Sequence, residues 1–185
     1  MKLVDLVPDA ARAQPRAPLS VSYRALTAHV PVAADRIIGE TLRSAHVEGH
    51  PEMPGIWALR MAYSTSVYGL IHREVEDSVK LSLAVSTAAA TLDLRCLPQQ
   101  LHNAHAAGFA GVLALSAAAG FAGGWSHGAP AAISVIVAGV LLVTVSREMA
   151  LQALERRLRR LAENLGTALW PSSPAQLLPP PKRLV

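Results

Sequence analysis

The sequence predicts an all-α protein: a two-span transmembrane helical hairpin, cytoplasmic amphipathic helices beside it, and disordered termini. Three observations carry that expectation. From Cys96 to Ser146 the chain has no Asp, Glu, Lys or Arg. Its apolar content is mostly Ala, Leu and Val, with aromatics at only 4%, a balance that suits helices over sheets. Past Arg147, leucines recur at spacings of three and four, which is the helical period.

In chain order, residues 1–55 read as a largely irregular N-terminal region. Pro8, Pro15, Pro18 and Pro31 break it up. The apolar residues after Lys2 are interrupted by Asp5, Pro8, Asp9 and Arg12, so no secretory signal is read there. One short helix is expected at about 32–45, where Ala34, Ile37, Ile38, Leu42 and Ala45 share a side. The stretch from Glu48 to Gly55, with Pro51, Pro54 and two glycines, reads as a linker.

Residues 56–97 hold no proline, and Pro98 ends the run. Two periods compete here. Val67, Leu70, Ile71 and Val75 fit a helix, whereas Val79, Leu81, Leu83 and Val85 alternate with Lys80, Ser82, Ala84 and Ser86 as a strand would. The Ala88-Ala89-Ala90 segment, and the lack of any other evident sheet partner, decide for an amphipathic helical segment.

The transmembrane hairpin is expected over 104–146. A spanning helix needs about 20 apolar residues. His105 to Phe121 and Ala131 to Val145 supply the arms, divided by the turn formers Gly123 to Pro130. The second arm, rich in Ile, Val and Leu, is the stronger anchor; the first is Ala- and Gly-rich and contributes less transfer free energy. Lys80, Arg95, Arg147 and later arginines flank the arms, while the turn carries only His127. By the positive-inside rule both termini then lie in the cytoplasm and the protein in the inner cell membrane. Trp125 would sit at the outer interface. Ser116, Gly120 and Gly124 recur every four residues, and Gly139 faces them from the second arm, so these four are the expected helix-packing positions.

Residues 147–169 read as a basic amphipathic helix. Leu151, Leu154, Leu158, Leu161 and Leu165 form an a/d seam for about two and a half heptads, which points to a coiled coil that sets oligomer state. The competing reading lays the leucines on the inner leaflet, with Arg147, Arg156, Arg157, Arg159 and Arg160 as lipid contacts. Residues 170–185, with their repeated prolines, read as a disordered tail.

Chemistry is sparse. His46, Glu48 and His50 form H-V-E-G-H, but Gly49 and Pro51 oppose the helix that would bring two histidines to one face. His102 and His105 read as interfacial histidines one turn apart. Cys96, the single cysteine, is read as an inert thiol, with palmitoylation as the alternative. No phosphate-binding, Rossmann or nucleophile-elbow motif is present, so no enzyme, cofactor or metal is expected. The arginine cluster next to an apolar segment follows membrane topology and argues against nucleic acid.

The arrangement of amphipathic segment, apolar hairpin and basic helix resembles, in organisation only, the two-span holins of phages and the two-span effector domains of bacterial nucleotide-signalled defence. The likeness covers roughly residues 60–168 and carries over no residue. The expected function is a small integral membrane protein that self-associates as a homo-oligomer. It would serve as a structural or scaffolding subunit with the lipid bilayer and a cytoplasmic protein as partners. A pore-forming or membrane-disrupting effector and a soluble helical bundle are the alternatives.

Overall fold

The computed structural model describes residues 19–27, 29–67, 71–122, 124–171 and 175–177. Its elements are β1 (Leu19–Ala25), α1 (Ala34–Ser44), β2 (Glu48–Met53), β3 (Ile56–Val67), β4 (Ile71–Val85), β5 (Ala90–Cys96), α2 (Gln99–Ala122), α3 (Gly124–Leu169) and β6 (Ala175–Leu177). The strands form one sheet in the order β2-β3-β4-β5-β1-β6, with every pairing antiparallel. The fold is therefore α+β, and the all-α expectation is overturned.

The correction centres on residues 56–97, expected as helix and folded as β3, β4 and β5. The alternation noted from Val79 to Val85 is a strand after all. Its sheet partners are strands of mixed composition. On β5, Ala90, Leu92, Leu94 and Cys96 are buried while Thr91, Asp93 and Arg95 face the other way. On β3 the buried set is Trp57, Leu59, Met61, Tyr63 and Thr65. Of the alanines taken as a helix signal, Ala88 and Ala89 lie in the β4–β5 turn and Ala90 opens β5. Ser86 N–H donates to the Ala89 carbonyl at 2.8 Å, and Ala89 N–H donates back to Ser86 Oγ at 3.2 Å. A serine that can bond its own backbone neighbours favours turns over helix interiors.

Three further expectations change. The N-terminal region is not irregular throughout, because β1 pairs along its whole length with β5, Leu19 opposite Cys96 and Ala25 opposite Ala90. The stretch read as a linker carries β2, which turns into β3 through Gly55 at φ 73°. The tail read as disordered contributes β6, which pairs with Tyr23 to Ala25 of β1. The rest of both termini lies outside the described residues.

One face of the sheet carries the core. Against it lie α1, through Ala34, Ile38 and Leu42, and the second half of α3, through Leu151, Leu154, Leu158, Leu161, Ala162, Leu165 and Leu169. Each leucine buried there contributes on the order of 2 kcal/mol. Gly166 lies so close to β1 that a Cβ there would stand 2.3 Å from the Tyr23 ring. That ring stacks on Trp170, with centroids 6.1 Å apart and an interplanar angle of 8°. The helix end is thus clamped to the strand.

β3 and β4 outrun their neighbours. The pairing of β2 reaches Arg60 on β3, and that of β5 reaches Val79 on β4. Beyond those points the two strands pair only with each other, from Met61 opposite Asp77 to Val67 opposite Ile71. This ribbon lies along the helices, with Met61, Tyr63, Thr65, Val75 and Asp77 buried beneath it.

Candidate membrane-spanning site

α2 and the first half of α3 leave the sheet domain bare. Among the described residues they are the two helices long and apolar enough to cross a bilayer. Only 28% of the most apolar stretch of α2 is buried, and only 11% of that of α3. Leu113, Leu115, Phe121, Ile133, Val137, Leu141 and Val145 are all exposed, Phe121 to 88%. A contiguous apolar surface of this kind is rare on a water-soluble monomer. It is also the opposite of a core helix, whose apolar side chains are covered.

The two helices cover each other along one line. Gly139 of α3 sits against Val112 of α2, where a Cβ would come within 2.6 Å of the valine side chain. Gly128 abuts the Gly120 backbone, and Gly120 faces Ala132. Ser116 is buried on the same line and returns its hydroxyl to the Leu113 carbonyl at 2.8 Å. Of the four packing positions expected from spacing, Ser116, Gly120 and Gly139 thus lie between the helices. Gly124 opens α3. The expected separate hairpin with a turn from Gly123 to Pro130 is corrected: α3 takes in Gly124 to Pro130 and runs unbroken to Leu169. Pro130 stands in its second turn, where it forfeits one backbone hydrogen bond.

The leucine seam also has a different partner. Leu151, Leu154, Leu158, Leu161 and Leu165 are 5% exposed or less, and they face the sheet. Neither a second helix nor a leaflet can reach them, so the coiled-coil reading and the leucines-down reading both fall. Spacings of three and four mark one apolar helix face and do not name what covers it. The arginines are likewise spread over separate tasks. Arg147 Nη2 donates to His102 Nε2 at 3.2 Å. Arg157 Nη1 donates to the Ala62 carbonyl of the ribbon at 2.8 Å. Arg159 pairs with Glu155 at 3.3 Å, Arg156 Nε bonds the Gln152 carbonyl, and Arg160 is exposed.

Where the bare helices meet the sheet domain, a polar joint forms that the sequence reading missed. Asp77, 2% exposed, accepts the Tyr63 hydroxyl and, at 2.8 Å, the Gln100 N–H in the first turn of α2. It acts as a helix cap supplied by a strand, satisfying a backbone donor that the helix itself cannot. Its signal was available: Asp77 falls in phase with Val75, Val79 and Leu81 on the apolar face of β4. Burial, followed by the Asp77 hydrogen bond and charge, raises the Tyr63 pKa above its ordinary value of 10. Burial and the Asp77 charge push the Cys96 thiol up to about 12, which makes it a poor nucleophile. Nearby, His102 Nδ1 bonds the Pro98 carbonyl and His105 Nδ1 the Leu101 carbonyl.

His46, Glu48 and His50 line an open cleft of about 810 Å³ with Arg43 and Trp57. His46 has a backbone job there. At φ 53° it ends α1, its N–H donating to the Arg43 carbonyl and the next N–H, of Val47, to that of Leu42. This is the pattern that usually places glycine after a helix. Among the described residues no group of three or more His, Cys, Asp or Glu is placed to hold a metal ion. Comparisons of the chain with protein-family models, curated proteins and solved structures returned no match.

Proposed function

We propose that this chain is an integral membrane protein in which α2 and the first half of α3 cross the bilayer. The sheet domain is then carried at one membrane face, where it serves as a structural or scaffolding subunit. The observation that carries this reading is the coincidence of two features. The stretch from Cys96 to Ser146 has no Asp, Glu, Lys or Arg, and most of its bulky apolar side chains in α2 and α3 are exposed, Leu101, Val112 and Val143 being the buried ones. In lipid such side chains cost nothing, and helices satisfy their own backbone groups there. Arg95, Arg147 and the later arginines all belong to the sheet-domain side, which favours the cytoplasmic face for that domain.

Self-association, in this reading, uses the outer side of α2. Ala106, Ala110, Ala114, Ala117 and Ala118 stay exposed once α3 covers the Ser116 side, and small residues let a second helix approach closely in lipid. Alkaline carbonate extraction of membranes from cells making the full chain tests the anchor. Retention in the pellet supports it; release of the protein into the supernatant refutes it. The scaffolding role is tested by crosslinking in those membranes, where recovery of monomer alone would exclude self-association.

A further inference from the structure

Resting on the membrane reading above, we infer that Arg147 and His102 form a binding site for the phosphate of an anionic lipid headgroup. Arg147 is the first charge after the uncharged stretch, so it stands at the edge of the bare apolar surface. Across from it, in the first turn of α2, is His102. The imidazole is 8% exposed and fixed from both sides. Its Nδ1 bonds the Pro98 carbonyl, so that nitrogen carries the proton, and Nε2 accepts from Arg147 Nη2 at 3.2 Å. The guanidinium is thereby held by a neutral acceptor, which orients it without cancelling its charge.

Four other basic residues are paired with acids. Arg36, Arg60, Lys80 and Arg159 each have a carboxylate within 3.8 Å. Arg147 has none in reach among the described residues. Asp77, the buried acid of this region, is occupied by Tyr63 and Gln100. Glu148 points about 100° round the helix from Arg147. The remaining N–H donors of Arg147 are open to an anion, and a guanidinium offers two parallel donors to phosphate oxygens. Arg147 closes the exposed apolar run of α3, in which Val137, Leu141 and Val145 are all exposed, so the anion that fits is one already tethered to acyl chains. A phosphodiester headgroup meets both demands, whereas free phosphate meets only one.

The test is native mass spectrometry of the full chain in detergent, titrated with phosphatidylglycerol, with diacylglycerol of the same chains, and with inorganic phosphate. Wild type is expected to retain phosphatidylglycerol and to lose about fivefold in affinity on Arg147→Gln. His102→Ala keeps the charge but frees the guanidinium, and should also weaken retention; His102→Gln, which restores an acceptor, should recover part of it. Circular dichroism of each variant confirms that it is folded. Equal retention of diacylglycerol, displacement by inorganic phosphate at equal concentration, or unchanged retention in folded Arg147→Gln would each overturn the site. Because the readout is in detergent, it is independent of carbonate extraction: a failed anchor and a failed lipid site give separate results.

Discussion

The hydroxyl of Tyr63 on β3 donates to the carboxylate of Asp77 on β4, and the same carboxylate caps the first turn of α2. One buried acid therefore ties the ribbon of the sheet to the base of the apolar helix pair. We expect Asp77→Ala to lower the unfolding free energy by about 3 kcal/mol, since it strands the tyrosine hydroxyl and a helix N–H. Asp77→Asn, which keeps an acceptor oxygen, should cost less. Chemical denaturation of the detergent-solubilised chain measures both; equal effects would mean that the capping oxygen is irrelevant.

Alkaline pH should loosen the same joint. Cys96 and Tyr63 both have pKa values raised by burial and by Asp77, so the folded chain holds protons that the unfolded chain has released. The stability they contribute is whole below the ordinary thiol value of 9 and falls as pH rises towards about 12. Replacing Cys96 with Ala should remove the earlier part of that fall. Unfolding midpoints compared between about pH 8 and pH 11 decide it; superimposable curves for wild type and variant would contradict the assignment.

Gly139 is expected to tolerate no side chain. A methyl group there meets Val112 at 2.6 Å to Cγ2 and 2.8 Å to Cγ1, and overpacking of this kind costs about 1–3 kcal/mol. Gly139→Ala should lower the thermal midpoint in detergent, and adding Val112→Ala should restore part of the loss. An additive double mutant would show that the two residues do not touch.

Leu158, fully buried against the sheet, separates the fold described here from a helix that pairs with its copy. Leu158→Asp buries an unpaired carboxylate in the sheet core and should expose β1 and β5 to protease, with a loss above about 4 kcal/mol. A variant that keeps its protease-resistant sheet domain and loses only crosslinked oligomers would argue for a coiled coil.

His46→Gly should stabilise the chain, by about 1 kcal/mol, because glycine reaches φ 53° without the clash a Cβ brings. Thermal unfolding gives the sign directly. A decrease would point to a role for the imidazole in the cleft.

What the sequence made legible was set by how local the signal is. The uncharged stretch, the small residues Ser116, Gly120 and Gly139, and the amphipathic turn pattern of Ile37, Ile38 and Leu42 depend on neighbours within a few residues, and all could be read. The sheet was legible only in part: β2 to β5 pair as successive neighbours and the alternation of β4 was visible, but β1 joins β5 across some seventy residues, Leu19 opposite Cys96. Ser22 and Asp93, which hydrogen-bond across that pair, look like solvent residues when each is read in its own segment. The leucine seam shows the same limit from the other side. Its spacing announced a buried face, and only the long-range pairing of the strands supplies the surface that buries it. Asp77 was readable in principle, as an acid in step with Val75 and Val79, but only once that segment is taken as a strand.

The unbroken run of α3 has a mechanical consequence. Its bare half and its sheet-clamped half share one hydrogen-bonded rod of 46 residues, roughly 70 Å long. With no hinge residue at Arg147, a tilt of the upper half has to swing the whole sheet through the same angle. In the proposed membrane reading, a thickness mismatch that is relieved by tilting α3 is passed on to the attitude of the domain. Two glycines or a proline inserted after Ser146 would disconnect the lever while leaving both halves intact.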